Sequence, residues 1–93
     1  MESRVTLTPE AVEECRSLLE AVGLDGRRAP LIRIGIGSCG LRRPVAAPGA
    51  PEPGDTLLEV EGLPFAIAST LSGNFRIGVG RGRFGAWLEL EQV

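Results

Sequence analysis

The chain has 93 residues and a mass of 9.8 kDa, so we expect one domain over residues 1–93 with a modest core. It contains no histidine and its ten basic residues are all arginine, which excludes histidine triads, histidine metal sites and lysine-based phosphate or Schiff-base chemistry. The net charge of −2 argues against a nucleic-acid partner. No apolar run is long enough to span a membrane, so we expect no membrane partner. We also do not expect an enzyme.

A helix is predicted directly after residue 8. Thr8 is a good N-cap, Pro9 suits the first helical position, and Gly23 is the expected stop. Its apolar side chains recur with helical spacing, at Val12, Cys15, Leu19 and Val22. We expect Cys15, which lies on this apolar face, to pack in the core.

From residue 31 the period changes to two, which is typical of strands. Strands are predicted at 31–36, 56–61, 63–68, 75–79 and 84–90, with an edge strand near 45–47 in a proline-rich segment. A hairpin is expected through Glu61-Gly62. In the last strand, Phe84 and Leu88 are expected to face inward and Trp87 outward.

One helix followed by five or six short, mainly antiparallel strands indicates an α+β fold. No second helical period separates the strands, so we do not expect β-α-β crossovers.

Cys39 is the residue of most chemical interest. It lies in a turn of small residues, and two arginines follow it, Arg42 and Arg43. Nearby guanidinium groups favour the thiolate, which binds iron or zinc, undergoes redox chemistry or acts as a nucleophile. A nucleophilic cysteine would need a base such as histidine, which this chain lacks. The competing interpretation is that Cys39 has no chemical role and is simply a small residue that fits a tight turn.

Three further patterns favour structural interpretations. Residues 35–40 and 80–85 both match G-x-G-x-x-G, but no helix opens after either, as a dinucleotide site requires. Arginines alternate with glycines over 76–83, which indicates a hairpin turn with solvated charges rather than a phosphate grip. Two carboxylate pairs, Glu59/Glu61 and Glu89/Glu91, indicate solvent-facing edges or an acidic contact patch.

The order of these parts resembles the HesB/IscA-type family, the A-type iron–sulfur cluster assembly proteins. The opening Val5-Thr6-Leu7-Thr8-Pro9-Glu10-Ala11 resembles the entry into that family's first helix. The strand at 31–36 followed by Gly37-Ser38-Cys39-Gly40-Leu41 resembles its first long strand and the turn with its first ligand cysteine. The segment 53–62 resembles its following hairpin region. The likeness extends over about residues 5–90.

The resemblance implies a compact, β-sandwich-like α+β fold with the helix packed on it, and a homodimer or tetramer. It implies an A-type carrier that binds iron or an iron–sulfur cluster through three cysteines, one in the glycine-rich turn and two in a C-terminal C-x-C. Only the first maps onto this sequence, at Cys39, so Cys39 is the candidate metal and cluster ligand of a divergent member without the C-x-C. Iron–sulfur assembly or client proteins are the partners it implies.

Three functions stay open at this point. One is a role in iron–sulfur cluster assembly or iron binding through Cys39. The second is a degenerate family member that acts as a metal-free protein-interaction or regulatory module, and a redox thiol module is a third, weaker alternative. The start Met1-Glu2-Ser3-Arg4 has no apolar stretch behind it and there are only two cysteines, so we expect a reducing cytoplasm.

Overall fold

Within residues 4–37 and 43–93, which the computed structural model describes, the chain forms one helix and seven strands. The helix, α1, spans Pro9–Glu20. The strands are β1 (Arg4–Leu7), β2 (Leu31–Ile36), β3 (Pro44–Gly49), β4 (Thr56–Val60), β5 (Leu63–Ile67), β6 (Asn74–Gly82) and β7 (Gly85–Gln92).

The start of α1 is as predicted, and its end is not. The Thr8 hydroxyl accepts a hydrogen bond from the Ala11 amide at 3.2 Å, and Pro9 occupies the first turn. The helix ends at Glu20 because Ala21 is already extended, so the expected stop at Gly23 is wrong. No helix in the described part of the chain is long and apolar enough to cross a membrane.

The strands form two mixed sheets with the orders β1-β6-β7 and β3-β2-β5-β4. Three pairings are antiparallel, and two, β1 with β6 and β2 with β5, are parallel. The α+β class is confirmed, with one strand more than expected. That strand, β1, has four residues, too few for its alternation to be recognised beside the helix start.

The core draws on both sheets and the helix. Val5 of β1 lies in one cluster with the following buried side chains: Ala11, Cys15, Ile32, Ile34, Leu63, Phe65, Ile67, Phe75 and Ile77. Because residues from both sheets and α1 share this cluster, the fold is a single packed unit.

Two antiparallel hairpins are closed by two-residue turns. Glu61 and Gly62 join β4 to β5 with positive φ angles of 53° and 76°, the pattern of a tight hairpin turn, as predicted. Arg83 and Phe84 join β6 to β7. Phe84 therefore lies in the turn and not in the strand; its side chain is 98% exposed, and the expectation that it faces inward is wrong.

An ion pair holds the proline-rich loop after β3 against β2. The Arg33 Nε and Nη2 atoms donate to Asp55 at 2.8 and 3.0 Å, and the Glu52 amide donates to the same carboxylate at 3.0 Å. Gly35 leaves the space that the guanidinium occupies, because a β-carbon there would lie 2.5 Å from Arg33 Nη1. The arginine in the middle of β2 thus has a structural role.

Candidate functional site

A groove of about 970 Å³ lies where the connection between β2 and β3 approaches the β6–β7 hairpin. The β2–β3 side contributes Gly37, Arg43, Pro44 and Val45, and the Gly37 amide donates to the Arg43 carbonyl oxygen at 3.2 Å. The two ends of the segment 38–42 are therefore held together at the groove.

The predicted ligand lies in that segment. Cys39 and Arg42 are outside the described residues, while Arg43 is exposed and lines the groove. Gly37, which precedes Cys39 by two residues in the sequence, also lines the groove.

Two acidic residues of β7 line the other side of the groove. The Glu91 carboxylate accepts a hydrogen bond from Arg76 at 3.0 Å across the hairpin, and both side chains are exposed, so the pair adds little to stability. Glu89 lies opposite Gly78, and no ion pair to it is found among the described residues. The pattern Glu89/Glu91 pointed to a contact patch, and the structure places both residues in one groove.

Trp87 also lines the groove, although no motif in the sequence assigned it to a site. It faces outward as predicted and is 50% exposed. Its indole covers Gly80, its cross-strand partner. The sequence does contain an indication of this contact. Glycine occupies every second position of the predicted hairpin strand, and such a strand leaves a flat surface on which an aromatic side chain can pack.

The second cysteine is unsuited to binding a metal in the folded protein. Cys15 is fully buried, as expected, and burial, together with the neighbouring Glu14, raises the pKa of its thiol to about 11. The thiol is therefore protonated at neutral pH, and a metal ligand must be a thiolate.

The remaining sequence candidates lie apart from the groove. Arg81 donates to Glu10 at 3.3 Å at the start of α1, which agrees with the interpretation of 76–83 as a hairpin with solvated charges. Glu59 lies in β4 and Glu61 in the turn that follows it, and neither lines the groove. In residues 4–37 and 43–93, no three histidine, cysteine or acidic side chains are grouped so that they could hold a metal ion.

Comparisons with known proteins connect this fold to two solved structures. A crystal structure of IscA with the [2Fe-2S] cluster is 27% identical in sequence, matches 95% of this chain and 84% of that one, and has a TM-score of 0.65. The crystal structure of Escherichia coli SufA, involved in biosynthesis of iron–sulfur clusters, is 16% identical with the same coverage and a TM-score of 0.63. No family model matches the sequence, and no curated protein matches it either.

Both likenesses concern the fold as a whole, with TM-scores of 0.65 and 0.63. The likeness to both structures extends over 95% of this chain. The fold of this chain is therefore that of the A-type HesB/IscA proteins, which confirms the HesB-like architecture expected from the sequence.

Proposed function

We propose that this chain takes part in iron–sulfur cluster assembly or iron binding, with the metal or cluster as its cargo and Cys39 as its protein ligand. The observation that carries the proposal is the likeness to IscA, which was crystallised with a [2Fe-2S] cluster and is 27% identical over 95% of this chain. The role is that of a carrier rather than a catalyst.

The thiol chemistry of the chain supports this assignment. Of the two cysteines, Cys15 is buried and its pKa is raised to about 11, which leaves Cys39 as the thiol suited to ligation. Arg43 lines the groove beside the segment that contains Cys39, and a guanidinium charge favours a neighbouring thiolate.

An iron–sulfur cluster takes about four thiolates, so a single chain does not complete its coordination. We propose a homodimer or tetramer, in which two copies each contribute Cys39. Glutathione, carboxylates or a client protein then supply the remaining positions. Such a site holds its cargo weakly enough to hand it to an apo-protein.

Anaerobic reconstitution tests the proposal. The protein is incubated with ferrous iron and sulfide, with and without glutathione, and then desalted for absorbance spectra and for iron and sulfide analysis. We expect a visible charge-transfer chromophore in the wild type that is lost in Cys39→Ala. Sedimentation of the loaded protein shows whether the iron is carried by an oligomer.

Cys15→Ala is the matched control, because it removes the other thiol of the chain. It should keep the chromophore, since Cys15 is buried and protonated. A wild-type protein without a Cys39-dependent chromophore, both with and without glutathione, would overturn the proposal.

The second candidate function is a metal-free protein-interaction or regulatory module. The open groove on the β6–β7 hairpin favours it, because Trp87 is half exposed there beside two carboxylates. Partner capture that is unchanged by Cys39→Ala, in a protein that takes up no iron, would favour this function over cluster assembly.

A further inference from the structure

The loop between α1 and β2, residues 21–30, presents two apolar side chains to solvent. Leu24 is fully exposed, and Val22 is 60% exposed. Scattered apolar residues are common on protein surfaces and need no explanation by themselves. An exposed leucine becomes informative when the surface beside it is shaped to receive one, and the surface beside Leu24 has that shape.

Hydrogen bonds within the loop fix the position of Leu24. The Gly23 amide donates to the Arg27 carbonyl oxygen at 2.8 Å, and the Gly26 amide donates to the Gly23 carbonyl oxygen at 3.0 Å. The Asp25 carboxylate accepts a further bond from the Arg27 amide at 3.1 Å. Leu24 lies inside this bonded turn, so little backbone freedom is lost when its side chain is bound.

A hollow of about 540 Å³ lies directly beside the loop. Apolar residues from the end of α1, the loop and the end of β3 line it: Leu18, Ala21, Val22, Pro30, Pro48 and Ala50. Gly23 and Asp25 also line it, whereas Leu24, which stands between them, does not. The leucine side chain therefore projects away from the hollow of its own chain, and a hollow of this volume has room for a leucine side chain.

The rim of the hollow carries both signs of charge. Asp25, Arg27 and Arg28 all line it. None of these three side chains forms an ion pair with another residue of 4–37 or 43–93. A partner surface of a single sign would be attracted by one part of this rim and repelled by the other, whereas a surface with both signs can match it.

We propose that this loop–hollow patch, residues 21–30 and 48–50, binds the same patch on a second copy of the chain around a two-fold axis. Each Leu24 then enters the hollow of the other copy, and each Asp25 lies near the two arginines of the other rim. A two-fold interface needs a patch that is complementary to itself. A projecting leucine, an apolar hollow and charges of both signs on one surface meet that requirement.

The patch and the groove lie at opposite ends of β2. The strand begins at Leu31, next to Pro30 of the patch, and ends at Ile36, next to Gly37 of the groove. Six residues of strand span about 20 Å. The contact is therefore separate from the pairing through Cys39 proposed above, and it needs no metal.

The test measures self-association of the full chain without iron, in a Cys39→Ala background that removes the other pairing. Sedimentation over a wide range of protein concentrations should show a reversible dimer. Leu24→Asp should weaken it at least tenfold, because the two-fold symmetry makes each substitution act twice. Phe84→Asp is the matched control, since Phe84 is 98% exposed but lies outside the patch, and it should leave the association unchanged.

Charge variants separate a self-complementary patch from general apolar adhesion. Arg27→Glu with Arg28→Glu leaves only acidic side chains on the rim, and Asp25→Arg leaves only basic ones. Each variant alone should dimerise at least tenfold more weakly than the parent, because like charges then face each other. An equimolar mixture of the two should form a heterodimer, since each rim then meets the opposite charge, and its formation also shows that both substituted loops keep their shape.

Three results would overturn the proposal. These are a monomer at every concentration, an association that Leu24→Asp and Phe84→Asp weaken equally, and a mixture of the charge variants that stays monomeric. A monomer would leave a different protein as the occupant of the patch. Because the test contains no iron and no Cys39, its failure leaves the proposed function unaffected.

Discussion

The indole of Trp87 lies over Gly80, its cross-strand partner in the β6–β7 hairpin, and fills the space that a side chain at position 80 would occupy. The Glu89 carboxylate closes the same space, since its Oε1 atom is 2.5 Å from where a β-carbon on Gly80 would be. One face of the hairpin is therefore shaped by the absence of a side chain, and this can be tested by adding one.

Gly80→Ala is expected to displace the indole and to lower the free energy of unfolding by about 1–2 kcal/mol, as overpacking of a formed contact does. The tryptophan emission should shift to longer wavelength as the ring becomes more solvated. Gly78→Ala is the matched control on the same face, because its β-carbon would meet only Thr8 Cγ2, at 3.9 Å. Urea unfolding followed by fluorescence measures both; equal effects of the two substitutions would contradict the packing.

The two phenylalanines of the hairpin should respond very differently to truncation. Phe84 is 98% exposed in the turn, so Phe84→Ala should change the free energy of unfolding by no more than about 0.5 kcal/mol. Phe75 is 1% exposed in the core, so Phe75→Ala should cost about 3–5 kcal/mol. Thermal and urea unfolding provide the comparison, and a large loss for Phe84→Ala would mean that this side chain is buried by a partner in solution.

Cys15 should make stability fall at alkaline pH. In the unfolded chain its pKa is about 8.5, and in the folded protein it is about 11, so between these values the unfolded state loses a proton that the folded state keeps. The contribution of Cys15 to the free energy of unfolding should therefore be constant below about pH 8 and decline from about pH 8.5 to 11. Cys15→Ala, in a Cys39→Ala background, should remove this decline in urea titrations at each pH.

The reactivity of the same thiol offers a check that does not depend on stability. In Cys39→Ala, iodoacetamide at pH 8 should leave Cys15 unmodified in the folded protein and alkylate it in urea, because the side chain is fully buried. Mass spectrometry follows the reaction. Rapid alkylation of the folded variant would contradict the burial.

The Arg33–Asp55 ion pair should make stability fall at acidic pH. The Arg33 guanidinium and the Glu52 amide both bond to the carboxylate, and the first of these contacts does most to hold the pKa of Asp55 below its ordinary value of about 3.9. A lowered pKa stabilises the folded state above about pH 4, and that contribution is lost as the pH falls through the folded pKa.

Asp55→Asn removes the titrating group from this pair. At pH 7 the variant should be less stable than the wild type, and the difference should shrink as the pH is lowered below about 4. Unfolding curves at pH 7, 4 and 3 measure it. Glu52→Gln, whose partner distance to Arg33 is longer at 3.3 Å and whose side chain is 66% exposed, should show a much smaller difference.

The elements that the sequence predicts correctly are those specified by neighbouring residues. Thr8 and Pro9 mark the helix start, alternation marks β2, and Glu61-Gly62 marks a hairpin because two positive φ angles are needed there. The end of the helix and the burial of Phe84 were predicted wrongly. Each depends on the exact residue at which a helix or strand gives way to a turn. A shift of one residue at a strand end changes a core side chain into a turn residue.

The candidate site was predictable only in part. Local sequence indicates the possible importance of the glycines, of Arg43 and of the acidic pair on β7. The groove, however, combines residues 37 and 43–45 with residues 87–92, and only tertiary packing brings them together. Cys39, the predicted ligand, stays a prediction, since it lies outside the described residues.

The parallel pairing of β1 with β6 has a consequence for how the chain folds. Residue 4 pairs with residue 74 and residue 7 with residue 77, so the first sheet combines β1 with strands that follow it by about 70 residues. Contacts between such distant residues close slowly, because the entropy of a long loop is lost before they form. The order β3-β2-β5-β4 uses residues 31–67 only, so that sheet can form before β6 and β7 have been synthesised, whereas β1 gains its partner strand only once β6 is present.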